Sequence, residues 1–111
     1  MNGHPVKLIF AALLLAAGSL PAIAQQAAVT VSVKNHRFQP AEIHAPAKVP
    51  IELHVKNLDA TPMEFESVSL RVEKVVAGNG EGIIRLRPLE PGRYNFFDDF
   101  HQETNGVLVI R

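Results

Sequence analysis

Between residues 29 and 110 the chain is written largely in twos. Val29, Val31 and Val33 alternate with Thr30, Ser32 and Lys34; Ile51, Leu53 and Val55 with Glu52, His54 and Lys56; Val68, Leu70 and Val72 with Ser69, Arg71 and Glu73; Ile84 and Leu86 with Arg85 and Arg87; Tyr94 and Phe96 with Asn95 and Phe97. Side chains two apart share a face only in an extended strand, so this pattern predicts half-buried β-strands. Val107 to Ile110 is a short apolar run suited to a strand covered on both faces, and Phe38 to Ala45 is a weaker strand broken by Pro40. Turn-forming residues separate the runs: Asn35 to Arg37, Ala45 to Pro50, Asn57 to Pro62, Gly78-Asn79-Gly80 and Glu90-Pro91-Gly92. With no sustained helical period, about seven short strands with turns every eight to twelve residues predict an all-β sandwich.

The first 24 residues stand apart from this pattern. A polar start carries Lys7, Leu8 to Ala17 is almost wholly apolar, and Ala22-Ile23-Ala24 supplies a small-residue cleavage pattern after Pro21. That is the build of a secretory signal peptide, and the apolar run is short of the roughly 20 residues that span a bilayer. The expectation is cleavage after Ala24, export to the periplasm with no membrane span left after cleavage, and one domain over residues 25–111. Removing 24 of 111 residues leaves 87, with ten Lys+Arg against eleven Asp+Glu and a net charge of −1.

The absence of cysteine excludes a disulfide framework, a thiolate metal site and a cysteine nucleophile. Near-neutral charge gives no global attraction to nucleic acid. No Gly-x-Ser-x-Gly elbow, phosphate-binding loop or His-Glu-x-x-His helix occurs, so acyl and phosphoryl transfer are not expected.

The distribution of charge says more than its sum. Asn57 to Leu70 and Tyr94 to Ile110 contain no Lys or Arg, yet hold Asp59, Glu64, Glu66, Asp98, Asp99 and Glu103, with His101 among them. Loops of a small sandwich gather at its two ends. If these two stretches share an end, unpaired carboxylates repel one another and a cation relieves the repulsion. Oxygen donors with an imidazole suit a hard or borderline metal. The alternative is a solvated acidic surface, with Phe65 pointing inward and Glu64 and Glu66 outward.

Three strings carry a family likeness. Val33 to Ile43 resembles the first turn and second strand of cupredoxins, Asn57-x-Asp59-x-x-Pro62 their first ligand loop, and Pro91 to His101 followed by Gly106 to Val109 their C-terminal ligand loop. Within that fold, Glu64 to Ser67, Glu73 to Val76 and Phe96 to His101 resemble the EfeO-type cupredoxin-like proteins associated with bacterial iron uptake. The resemblance implies a Greek-key β-sandwich. It aligns Asp98 with the blue-copper cysteine, Met63 with the first histidine ligand, His101 with the second, and Thr104 with the axial methionine, with Glu103 as a substitute. A carboxylate cannot make the short thiolate bond of a type 1 centre, so blue-copper electron transfer is not expected.

The candidate metal ligands are His101, Asp98, Glu64, Glu103, His36, Met63 and Glu66. Adjacent strand residues point opposite ways, so only one of Asp98 and Asp99 faces a site, and Asp99 can instead hold the loop. Met63 is a thioether donor or plain packing. His44 and His54 are expected to face solvent from strands. The expected cofactor is a copper or iron ion. The resemblance implies a role in iron uptake, by Fe(II) oxidation or by hand-over to an inner-membrane iron permease or another periplasmic component. The competing readings are a copper chaperone or docking module of a transporter, and an interaction module without metal.

Overall fold

A computed structural model describes residues 25–111, and the expected signal peptide lies outside them. Nine strands form in chain order: β1 (Ala27–Lys34), β2 (Arg37–Gln39), β3 (Glu42–Ala45), β4 (Ile51–Asn57), β5 (Met63–Ser67), β6 (Val72–Val76), β7 (Glu81–Leu86), β8 (Gly92–Asp98) and β9 (His101–Ile110). They make two sheets, ordered β2-β1-β4-β7 and β3-β9-β8-β5-β6. Two neighbours run parallel, β1 with β4 and β3 with β9, and the other pairs are antiparallel. The described chain is the all-β sandwich that the alternation predicts.

Alternating residues from both sheets fill the space between them. Val31 and Val33, Ile51 to Val55 in steps of two, and Ile84 and Leu86 face Ile43, Met63, Phe65, Val76, Phe96, Leu108 and Ile110 across the core. At its centre Phe65 stacks on Phe96 with ring centroids 4.8 Å apart, while Phe38 meets Phe96 edge-on, also at 4.8 Å. Offset and edge-on contacts are the favoured ones because the ring face is electronegative and the rim electropositive.

Two stretches differ from the sequence expectation. Phe38 to Ala45 is not one interrupted strand. Proline removes a ladder donor, and the chain changes sheets around Pro40, so β2 closes one sheet and β3 edges the other. The alternation at Val68 to Val72 runs through a turn over residues 68–71 and ends on the first residue of β6, while the strand before it is β5. Ser67 explains this locally. Its Oγ donates to the Asn95 carbonyl (2.7 Å) and accepts the Leu70 N–H (3.2 Å), folding the chain back, while Arg71 takes a left-handed φ of 57°. Leu70 still turns inward, and Val68 stands 81% exposed.

Candidate metal centre

Three connections build the pole where His36 and His101 lie. The β1–β2 hairpin turns on Asn35 (φ 52°) and His36 (φ 57°), a pair of positive φ values that suits a two-residue hairpin and that asparagine and histidine tolerate better than most residues. Asp59, in the β4–β5 loop, holds that turn: its carboxylate accepts the Asn35 N–H at 2.7 Å and the His36 N–H at 3.0 Å. The Thr104 hydroxyl of β9 donates to the His36 carbonyl at 2.6 Å. His36 is therefore fixed through both its backbone groups.

The β8–β9 turn presents His101. Asp98 precedes it by three residues and is wholly buried. One carboxylate oxygen accepts the Glu64 N–H (2.9 Å) and the Phe100 N–H (3.0 Å); the other faces His101 Nδ1 at 2.9 Å. A carboxylate only accepts, so Nδ1 carries the proton and the lone pair of His101 sits on Nε2. The His36 ring lies against the His101 ring, centroids 4.0 Å apart and planes tilted by 30°. His36 Nδ1 is 3.7 Å from Asp59 Oδ2.

Asn57 supports the pole from below. It is 1% exposed, donates from Nδ2 to the carbonyls of Thr61 (2.8 Å), Ala77 (3.2 Å) and Val76 (3.3 Å), and accepts the Asp59 N–H at 3.1 Å. Gly78 lies so close to the Ala60 carbonyl that a Cβ there would clash with it, so the β6–β7 turn needs glycine at this point to back the Asp59 loop.

A second cluster occupies the outer face of the β5 sheet. Carboxylate oxygens of Glu64, Glu66 and Asp99 lie within 4.8 Å of one another. Burial pushes the Glu64 and Glu66 carboxyls up from their usual range, and the hydrogen bond between Glu64 and Asp99 and the negative charges of Asp99 and Glu73 push the same way. Asp59 moves the other way, mainly because the His36 backbone N–H stabilises its anion.

These directions fix the pH response. A carboxyl whose folded pKa is raised holds its proton more tightly in the native state, so stability falls as pH rises from the unfolded glutamate value through the folded one. Glu64→Gln or Glu66→Gln is expected to raise the melting temperature at pH 7 and leave it nearly unchanged at pH 3, as followed by circular dichroism. An unchanged melting temperature at pH 7 would show that the three carboxyls do not strain the fold. Asp59 has the opposite sign: its contribution is present above the ordinary aspartate pKa and is lost as pH falls through its lowered value.

The structure sorts the seven sequence candidates. His36 and His101 come together. Asp98 lies beside His101, with both oxygens engaged, and acts on the imidazole. Glu64 and Glu66 point to the outer sheet face with Asp99, while the Glu64 backbone shares the Asp98 carboxylate. Met63 is 1% exposed and packs in the core, its thioether inside the sandwich. Glu103 is exposed on β9, outside the clustered carboxylates. His44 and His54 pair with Glu42 (3.0 Å) and Glu52 (2.8 Å) on outward strand faces. Asp59 and Asn57 shape the pole; the sequence marks them as part of a turn and of the ligand-loop likeness, and Asp59 as an acid without a basic neighbour, but not as the groups that hold the His36 turn.

A family model described as a cupredoxin-like domain matches residues 7–110. The chain belongs to the cupredoxin-like family. An uncharacterized protein of Rickettsia prowazekii is 40% identical over 83 residues, covering 74% of this chain and 66% of that protein's length. Three solved structures share the cupredoxin-like fold. The metal-binding domain of a Cu(I)-exporting P-type ATPase from Streptococcus pneumoniae, solved with Cu(I), has a TM-score of 0.65 at 15% identity and covers 81% of this chain and 99% of its own. A purple cupredoxin from Nitrosopumilus maritimus has a TM-score of 0.57 at 15% identity, covering 77% and 99%. A reduced amicyanin variant has a TM-score of 0.62 at 16% identity, covering 86% and 89%. At such identity the likeness concerns the fold alone.

The type 1 copper site does not fit this cupredoxin-like domain. No thiolate is available, Asp98 spends both oxygens on internal hydrogen bonds, and Met63 is sealed in the core. The imidazoles of His36 and His101 remain as accessible donors at that pole.

Proposed function

We propose that this cupredoxin-like protein is a periplasmic metal-binding protein that assists bacterial iron uptake, of the EfeO-type its sequence resembles, with copper as resident ion or iron as cargo. The single observation that carries the metal-binding part is the contact between His101 and the buried Asp98. A carboxylate that receives one ring N–H and leaves the other nitrogen free is the usual arrangement behind a metal-ligating histidine. The metal-binding domain of the Cu(I)-exporting ATPase, solved with Cu(I) in the same fold, supports copper as the resident ion. Copper bound here would supply a one-electron acceptor. The protein's own part is to present Nε2 of His101 at an exposed pole, where Fe(II) can be oxidised or an iron ion passed on to an inner-membrane permease or another periplasmic component.

The test is a thermal melt of the mature protein with and without Cu(II), Fe(II) under anaerobic conditions, or Fe(III). A ligand that binds only the native state adds about 2.7 kcal/mol at a hundredfold excess over its dissociation constant, a rise of roughly 10–20 °C for a chain this small. The expected result is such a rise with at least one ion, together with growth on ferrous iron that depends on the gene. No shift with any of the three ions would end the metal-binding reading. Dependence under copper stress alone would favour a copper chaperone.

A further inference from the structure

The geometry points to a metal site displaced outward from the blue-copper position, in which His36 and His101 are paired nitrogen donors and Asp59 and Asp98 position them. This inference rests on the metal-binding reading above and names its donors. Four observations carry it. The two rings lie together, centroids 4.0 Å apart and planes tilted by 30°, so both imidazoles reach the same patch of surface. Each ring has a carboxylate near Nδ1: Asp98 hydrogen-bonds that of His101 at 2.9 Å, and Asp59 lies 3.7 Å from that of His36, a charge contact beyond hydrogen-bond range; no hydrogen bond engages Nε2 of either ring among the described residues. The backbone of His36 is locked by Asp59 and Thr104 and that of the His101 turn by Asp98, so the rings are held before an ion arrives. Both rings keep contact with solvent, the side chains being 46% and 28% exposed.

Purely structural histidines would explain the stacking, but not a buried carboxylate holding one imidazole in a single tautomer beside a second imidazole whose turn is fastened from two other segments, by Asp59 and Thr104. Two neutral imidazoles suit borderline ions such as Cu(II) and Zn(II) and leave coordination positions open to water or a substrate. The acidic trio of Glu64, Glu66 and Asp99 is not part of this donor set.

The experiment counts imidazoles bound to one equivalent of Cu(II) by electron spin-echo spectroscopy on the mature chain, and assigns the bound nitrogen in the Zn(II) form by long-range proton–nitrogen correlation. Two imidazoles are expected in the wild type, with Zn(II) on Nε2 of both. His36→Asn, which keeps the left-handed turn, and His101→Gln are each expected to leave one imidazole and weaken binding at least tenfold. Glu64→Gln is expected to leave two. Asp59→Asn should weaken binding by roughly 10–100-fold without changing the count, as loss of a positioning carboxylate does. A wild-type count of one, or His36→Asn binding at full strength, overturns the paired site while the broader metal-binding reading stands. A wild type that binds neither Cu(II) nor Zn(II) overturns both. Melting curves of the ion-free variants separate loss of donors from loss of fold.

Discussion

Asp98→Ala is expected to lower the melting temperature by more than about 10 °C and to abolish tight metal binding. Removing this carboxylate strips acceptors from two backbone N–H groups, those of Glu64 and Phe100, and from the His101 ring. Each buried donor left without a partner costs about 1–3 kcal/mol, and 1 kcal/mol shifts the midpoint of a domain this size by roughly 4–8 °C. Asp98→Asn separates the two roles. Its amide oxygen still accepts the backbone N–H groups, so the fold should hold. Its NH₂ group now faces Nδ1, which must turn acceptor, and the ring proton moves to Nε2. The expected outcome is near-normal melting with metal affinity lowered by roughly 10–100-fold. Equal affinity in Asp98→Asn and wild type would show that the tautomer of His101 does not matter.

Phe65→Ala is expected to remove most of the stability. Its ring is fully buried, stacks on Phe96 at 4.8 Å and meets Phe38 edge-on at 6.2 Å. Truncating a core phenylalanine costs about 3–5 kcal/mol, and a chain of this size has only about 4–13 kcal/mol in total. The ladder also pairs Phe65 with Asp98, so the cavity opens directly behind the metal-end carboxylate. Urea titration should show a midpoint less than about half that of the wild type, and the Asp98 turn should lose amide protection first. A loss below about 1 kcal/mol would show that neighbouring rings collapse into the space.

The extended strands were legible because their inward faces obey the period of two: Ile51, Leu53 and Val55 in β4, and Ile84 and Leu86 in β7, are buried as the alternation requires. The same signal misled at Val68 to Val72, where apolar residues alternate but the Ser67 hydroxyl closes a turn, a contact with Asn95 from 28 residues away that no local pattern carries. Around Pro40 the sequence marked a break without saying that the halves join different sheets. At the pole, His36 and His101 could be picked out by residue type and resemblance. The part played by Asp98 could not, because a string of letters shows an acid and not whose N–H groups fill its lone pairs. Met63 was readable in principle: it shares the parity of Phe65, and that parity points inward.

The place of β9 sets what the five-stranded sheet needs to close. The strand lies inside that sheet, with β3 on one side and β8 on the other. Without residues 101–110 the edge of β8 is bare and β3 has no neighbour in its sheet, whereas β2, β1, β4 and β7 can still pair. Closure of the sandwich therefore waits on contacts between distant segments, which form slowly.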